Sequence, residues 1–186
     1  YLATLGPKSL ELTGEIADGW VGTSLIAAHA DVLLDPIRRG AERAGRSLSD
    51  IDLQVNTQLE VSDDVDSLIS RYRPAMAFTL GGMGSARTNF YNSAFSRAGF
   101  GDVAAEVQRL WVEGDKAAAV AAVPDEMVLA AYSIGTEDMV ADRVRALAAV
   151  GVNALRLGPV GKTAAEQIAH LEMAVDLVNR ATATAA

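Results

Sequence analysis

Leu53-Gln54-Val55-Asn56-Thr57-Gln58-Leu59-Glu60-Val61 alternates without a break, with Leu53, Val55, Thr57, Leu59 and Val61 on one side and Gln54, Asn56, Gln58 and Glu60 on the other. Successive side chains of a strand point to opposite faces, so the run reads as one strand with a wholly polar face. Strands of a doubly wound parallel sheet are covered on both faces and read as near-continuous apolar runs. The polar face therefore belongs at a sheet edge or in the lumen of a barrel.

The neighbouring segments show which of the two fits better. Ser62 is placed to cap a following helix with the apolar stripe Val65, Leu68, Ile69, Tyr72 and Met76, bent at Pro74. Upstream, a helix is expected from about Ala30 to Ala44, with a kink or restart at Asp35-Pro36 and Gly45 as its left-handed cap. Before it, Gly19 to Thr23 reads as a short strand. Tyr1 to Leu5 reads as another, stopped by Gly6-Pro7 and followed by a helix marked by Leu10, Gly14 and Ala17. Downstream, residues 81 to 135 break the rhythm with GGMGS and several helical pieces and no convincing strand, and read as an insertion. Thr136 then caps a helix carrying Val140, Val144 and Leu147, Gly151 ends it, and Val152 to Leu157 forms a last strand closed by Gly158-Pro159. Thr163 and Glu166 make a capping box for a final helix with Ile168, Leu171, Val175 and Val178 as its buried stripe, fraying from Thr182.

Four strands, each followed by a helix, imply a parallel α/β sheet of right-handed crossovers. Together with the polar strand face they favour half of a (β/α)8 barrel, a fold that takes roughly 250 residues when complete. The chain has 186 residues and opens at Tyr1, so a fragment is expected.

Half of the residues are hydrophobic, enough for a buried core, and no run approaches the ~18 apolar residues that a spanning helix needs. A soluble, cytoplasmic protein is expected. The formal net charge of −8 disfavours nucleic acid, and membrane partners are not expected. There is no cysteine, and His29 and His170 lack ligand spacing, so no structural metal is expected. Both histidines read as exposed, and Trp20 and Trp111 as core or interface residues. A small-molecule ligand remains.

The stretch LATLGPKSLELTGEIADGW, Leu2 to Trp20, is the best candidate to hold one. Pro7 suits the first helical position, and the N–H groups of Gly6, Lys8 and Ser9, with the Ser9 hydroxyl and the helix dipole, make an anion site that glycine lets a phosphate approach. A tight turn with no ligand is the alternative. GGMGS, Gly81 to Ser85, follows a helix and lacks the P-loop lysine, so it is a poor nucleotide loop. Gln58 and Glu60 stand near the end of their strand where barrel sites are built, with lumen filling as the alternative. Arg156 and Lys162 flank the last strand and could pair with an anionic substrate or cofactor tail, but a surface salt bridge is the commoner fate of such cations and both are left out of the site.

The stretch Leu2 to Trp20 resembles a signature of the luciferase-like family, in its actinobacterial branch of coenzyme F-420-dependent oxidoreductases. The run from Arg73 to Val128, beginning RPAMAFTLGGMGS, resembles that branch's inserted helical region, and AGVNALRLGP, Ala149 to Pro159, its final barrel strand. The resemblance implies that residues 1–186 are the C-terminal half of one luciferase-like barrel, strands five to eight, with the insertion at about 81–135. It also implies a cofactor phosphate tail on Leu5, Gly6, Pro7, Lys8 and Ser9, and an insertion that caps the barrel mouth, where Met83, Asn89, Phe90 and Tyr91 would shape a substrate pocket, with packing as the alternative for Phe90 and Tyr91. The implied activity is hydride transfer between coenzyme F-420 and a small organic substrate, with the catalytic residues mostly in the other half. FMN-dependent monooxygenation is the alternative within the family. An inactive half-barrel that only assembles is the alternative outside it, and its open edges make self-association, as a homo-oligomer, an expectation.

Overall fold

A computed structural model of the chain describes residues 1–23, 25–85 and 87–183. Its first residues form a single parallel bridge, Leu2 to Trp20, in which Leu2 N–H donates to Gly19 O (3.0 Å) and Val21 N–H to Leu2 O (2.9 Å). The strand read at residues 1–5 is thus present in position and direction but not in length. Thr4 O accepts from the Trp20 indole N–H at 3.0 Å and Leu5 O from Arg97 at 3.3 Å, so these carbonyls are taken and the ladder stops.

From there the chain alternates. Helix α1 (Pro7–Ile16) leads to strand β1 (Gly19–Gly22) and helix α2 (Asp31–Arg43), which contains Pro36 and ends before Gly45 at φ 71°. The two helices touch backbone to backbone. A Cβ built on Gly40 would lie 1.8 Å from Glu11 O, and one on Gly14 would lie 2.0 Å from Ile37 O, so glycine is required at both positions. This contact presses Leu10, Ile37 and Ala41 into a core shared with Trp20, Leu53 and Val55 from the sheet.

The alternating run at 53–61 forms two strands, not one. β2 (Asp52–Thr57) lies between β1 and β5 (Ala154–Leu157), all parallel, whereas β3 (Leu59–Val61) pairs in parallel with β4 (Ser133–Gly135) in a second sheet. The break falls at Gln58, whose carbonyl still accepts from Ser133 N–H at 2.9 Å. The alternation survives it: Leu53, Val55, Thr57 and Leu59 are buried, while Asn56 is exposed. Strand β4 corrects the reading of 81–135 as free of strands. All three of its residues are buried, but a Ser-Ile-Gly strand is too short to show any period in the sequence.

Helix α3 (Val65–Gly81) is capped by Asp64, whose Oδ1 accepts from Ser67 N–H at 3.1 Å. Ser62, the expected cap, instead accepts from Asp64 N–H at 3.1 Å and shapes the turn before it. Against α3 pack α4 (Phe90–Phe95), α5 (Gly101–Glu113), α6 (Lys116–Ala121) and α7 (Asp125–Ala131), around a core of their own that includes Leu80, Phe95, Val107 and Met127. Helix α8 (Glu137–Ala149) is capped by Thr136 and followed by Gly151 at φ 98°, as expected.

Helix α9 (Ala164–Ala183) starts at the expected capping box: Thr163 N–H donates to Glu166 Oε2 (3.0 Å) and Glu166 N–H to Thr163 Oγ1 (3.2 Å). Its buried stripe differs from the expected one. Ala174, Leu177 and Ala181 are buried against α8; of the expected residues Val178 packs partly against the same core, while Ile168 and Val175 are each 58 % exposed and Leu171 37 %. The two stripes adjoin on one helix, and contact with α8 selects the one with small residues. Thr182 and Ala183 are still helical, and the rest of the expected frayed tail, 184–186, lies outside the described residues.

Candidate cofactor and substrate site

The parallel strands carry their C-terminal ends to one side of the molecule, and the loop 3–6 lies there too. The loop is fixed from below: Thr4 Oγ1 lies 2.8 Å from Thr13 Oγ1, which donates to Ser9 O at 2.9 Å, and Trp20 holds Thr4 O. Gly6 is the N-cap of α1 at φ −74°, ψ 142°, and no side chain caps the helix. Leu10 N–H is the first to reach back, to Gly6 O at 2.9 Å. The N–H groups of Lys8 and Ser9 precede it and have no intrahelical acceptor, and they stand at the positive end of the helix dipole. A polar anion is what such a terminus accepts.

Above this terminus is a cleft of about 270 Å³, walled by Thr4, Leu5, Gly6 and Ser9 on one side and by Phe90 and Tyr91 of α4 on the other. Arg97, in the kinked turn between α4 and α5, reaches in to donate to Leu5 O, and partial burial lowers its pKa. Sequence reading missed Arg97, because 92 residues separate it from Leu5.

Two further clefts continue from here. One of about 210 Å³ is bounded by Tyr91 and Met83 from the insertion and by Thr23, Asn56 and Tyr132. The other, about 360 Å³, has Thr23, Asn56 and Tyr132 on its wall as well, together with Gln58 and Arg156. The three clefts are neighbours, with Tyr91 lining both the first and second and Thr23, Asn56 and Tyr132 both the second and third. They form a trough from the start of α1 to the end of β5. Burial pushes the Tyr132 phenol up, so it stays protonated and able to donate.

The residues singled out from sequence divide accordingly. Leu5, Gly6 and Ser9 line the first cleft; Pro7 and Lys8 are exposed beside it. Met83 and Tyr91 line the trough, and Phe90 covers its first part. Asn89 does not: it is 4 % exposed, donates to Thr79 O and Leu80 O at 3.0 and 2.8 Å, and caps α4. Gln58 lines the third cleft, whereas Glu60 is engaged by Arg71 and by the Tyr72 hydroxyl (2.8 Å). Together with burial, that carboxylate holds the Tyr72 phenol well above its ordinary range. Arg156, set aside as a surface cation, stands in the third cleft.

Lys162 sits in the turn before α9, where its N–H donates to Glu166 at 2.6 Å. His29 is exposed as expected. His170 is not a free surface residue, since Nδ1 accepts from Val160 N–H at 3.3 Å and Nε2 lies 2.7 Å from Leu59 O, to which it donates. It ties the loop after β5 to β3. Trp20 is fully buried, and Trp111 is half-buried edge-on to Phe78 under Lys116. The segment GGMGS is a helix C-terminus, with Gly82 capping α3 and Gly84 at φ 84°, the wrong polarity for an anion. Among the described residues no three His, Cys, Asp or Glu side chains group as metal ligands, and no helix is long and apolar enough to cross a membrane.

Comparison with known proteins points the same way. The chain is 31% identical over 172 residues to a Mycobacterium tuberculosis protein provisionally named a coenzyme F-420-dependent oxidoreductase, covering 91% of this chain and 49% of that one. It is also 31% identical over 163 residues to the 5,10-methylenetetrahydromethanopterin reductase of Methanopyrus kandleri, covering 87% of this chain and 45% of the reductase. The solved structure of the coenzyme F-420-dependent tetrahydromethanopterin reductase from that organism superposes with a TM-score of 0.69 at 28% identity, over 90% of this chain and 47% of that one. An F-420-dependent secondary alcohol dehydrogenase shares the fold at a TM-score of 0.62 and 16% identity. The chain spans about half the length of the relatives it matches. Residues 1–154 match the family described as luciferase-like monooxygenase, and with that match running through most of its length the chain belongs to the luciferase-like monooxygenase family.

Proposed function

We propose that this chain is the C-terminal half of a (β/α)8-barrel oxidoreductase that transfers a hydride between coenzyme F-420 and a small organic substrate, and that Leu5, Gly6, Pro7, Lys8 and Ser9 hold the cofactor's phosphate tail. The observation that carries this reading is the trough: it begins at an uncapped helix N-terminus with free N–H groups and runs to the strand ends, a shape suited to a cofactor with its anionic tail at the first cleft and a substrate at the third. The residues fit the group. The backbone of Gly6 adopts a conformation open to any residue, and a Cβ there would meet nothing closer than 3.8 Å, so neither backbone nor packing calls for glycine. A side chain there would stand beside Phe90 and Ser9, in the space over the loop where the tail is proposed to lie.

When bound, the deazaflavin supplies the carbon that gives or takes the hydride, and the protein supplies position and electrostatics. In this chain the N–H groups of Lys8 and Ser9 hold the tail, Arg97 adds positive charge beside it, and Phe90 and Tyr91 shield it from water. The names of the relatives support F-420 over FMN. Closure of the barrel by an upstream half would also cover the apolar stripe of α9, because the last helix of such a barrel packs beside the first. The protein made from its reading frame extended upstream tests this. It is expected to bind F-420 at micromolar concentration and to bleach or restore its absorbance with a substrate, and not to bind FMN. Binding of neither cofactor would sink the oxidoreductase reading in favour of an assembly module.

A further inference from the structure

The third cleft contains an arginine with nothing to do. Arg156 is the third residue of β5, in register with Asn56 of β2, so the two side chains stand together on the same face of the sheet. Eight other arginines of the chain are ion-paired. Arg156 has no hydrogen bond or ion pair among the described residues, although carboxylates outnumber cations 24 to 16. Among the described residues Thr23, Asn56, Gln58 and Tyr132 beside it are equally without side-chain hydrogen-bond partners, and neither Asp nor Glu lines the cleft. Guanidinium, two amides and two hydroxyls thus converge on one space as donors, with no fixed negative charge to satisfy them.

We infer that this cleft binds a compact oxyanion, a carboxylate or phosphate carried by the substrate, with Arg156 as its specificity-determining residue. A guanidinium presents parallel N–H donors that match either group two at a time. Asn56 and Gln58 donate from the adjoining strand and Tyr132 closes the side toward the insertion. The cleft, about 360 Å³ and open to one side, has room for a small organic acid. In a chain of net charge −8, Arg156 sets a positive charge at the strand ends beside neutral donors. The identification of the oxyanion as part of a substrate rests on the oxidoreductase reading, whereas its binding does not.

The test uses the protein from its extended reading frame and three probes of one shape: benzoate, phenyl phosphate and neutral benzamide, titrated by calorimetry with and without F-420. Saturable binding of benzoate or phenyl phosphate is expected, at least about tenfold tighter than benzamide, with the tighter of the two naming the group. Arg156→Gln is expected to weaken the anion by about tenfold or more and leave benzamide unchanged, while Arg156→Lys retains part of the affinity. Arg156 is exposed and unpartnered, so an unaltered thermal midpoint is expected in both variants and verifies that they fold. Anion affinity that is equal in wild type and Arg156→Gln, or absent from the wild type, overturns the inference. F-420 titrated into the same variants separates the two proposals: unchanged cofactor affinity with lost anion affinity supports both, and anion binding without any cofactor binding upholds the cleft while removing the oxidoreductase.

Discussion

Replacing Gly6 by alanine separates stability from ligand binding. At φ −74°, ψ 142° the backbone of Gly6 is in a region alanine adopts freely, and the added methyl would meet Phe90 ring carbons at 3.8 Å and Ser9 Oγ at 3.9 Å, ordinary contact distances. The folded state therefore gains no clash, but alanine is a poorer N-cap than glycine and costs it about 0.5–1 kcal/mol. The unfolded chain loses freedom, worth about 0.4–1 kcal/mol in the opposite sense, so the two effects offset and the unfolding midpoint is expected to stay within roughly 2 °C of the wild type. The methyl also occupies the space over the loop where the phosphate is proposed to lie. Displacing one charge-assisted hydrogen bond costs about 1.5–3 kcal/mol, or roughly ten- to hundredfold in affinity. Scanning calorimetry and fluorescence titration with F-420 on one preparation read both quantities. Undiminished affinity at an unchanged midpoint would refute the placement of the tail, and a midpoint lowered by more than roughly 4 °C would refute the account of the loop.

Gly40→Ala drives a methyl into the Glu11 carbonyl, 1.8 Å away, and is expected to lower stability by about 1–3 kcal/mol or more, read as a shifted denaturant midpoint. His170→Ala leaves Leu59 O and Val160 N–H without their partner and is expected to cost about 1–3 kcal/mol, whereas removing exposed His29 changes nothing measurable. Acid sensitivity follows from carboxylates such as Glu166, which the N–H groups of Lys162 and Thr163 hold below the ordinary range. A carboxyl with a depressed folded pKa contributes stability above its unfolded value of about 4.3, and that contribution fades as pH falls through the folded value. Glu166→Gln is therefore expected to flatten the loss of stability below about pH 4 in melts taken across that range.

The features that sequence located well are those made by neighbours. Thr136, the Thr163–Glu166 box, Gly45 and Gly151 mark helix ends through contacts a few residues long, and each stands where its chemistry required. Pairing across the fold was not legible. The break at Gln58 arises because β2 and β3 choose different partners, and β4 becomes a strand only through β3. The stripe of α9 was misassigned because two apolar faces adjoin and only α8 decides between them. Site residues divide in the same way. Gly6 and Ser9 are visible in their own turn and Arg156 as a cation an anion could meet, but Arg97 comes from 92 residues away and the neighbours of Arg156 follow only from its register with Asn56. His170 likewise reaches a carbonyl 111 residues distant.

The most direct test of the central claim compares F-420 with the same deazaflavin chromophore stripped of its phosphate tail, both titrated into the extended protein and its Gly6→Asp variant. The account predicts that the intact cofactor binds at least about tenfold tighter than the stripped chromophore to the wild type, and that Gly6→Asp abolishes this advantage by setting a carboxylate where the phosphate lies. Equal affinities of the wild type for the two compounds, or an advantage that survives Gly6→Asp, would contradict it and take the tail away from residues 5–9.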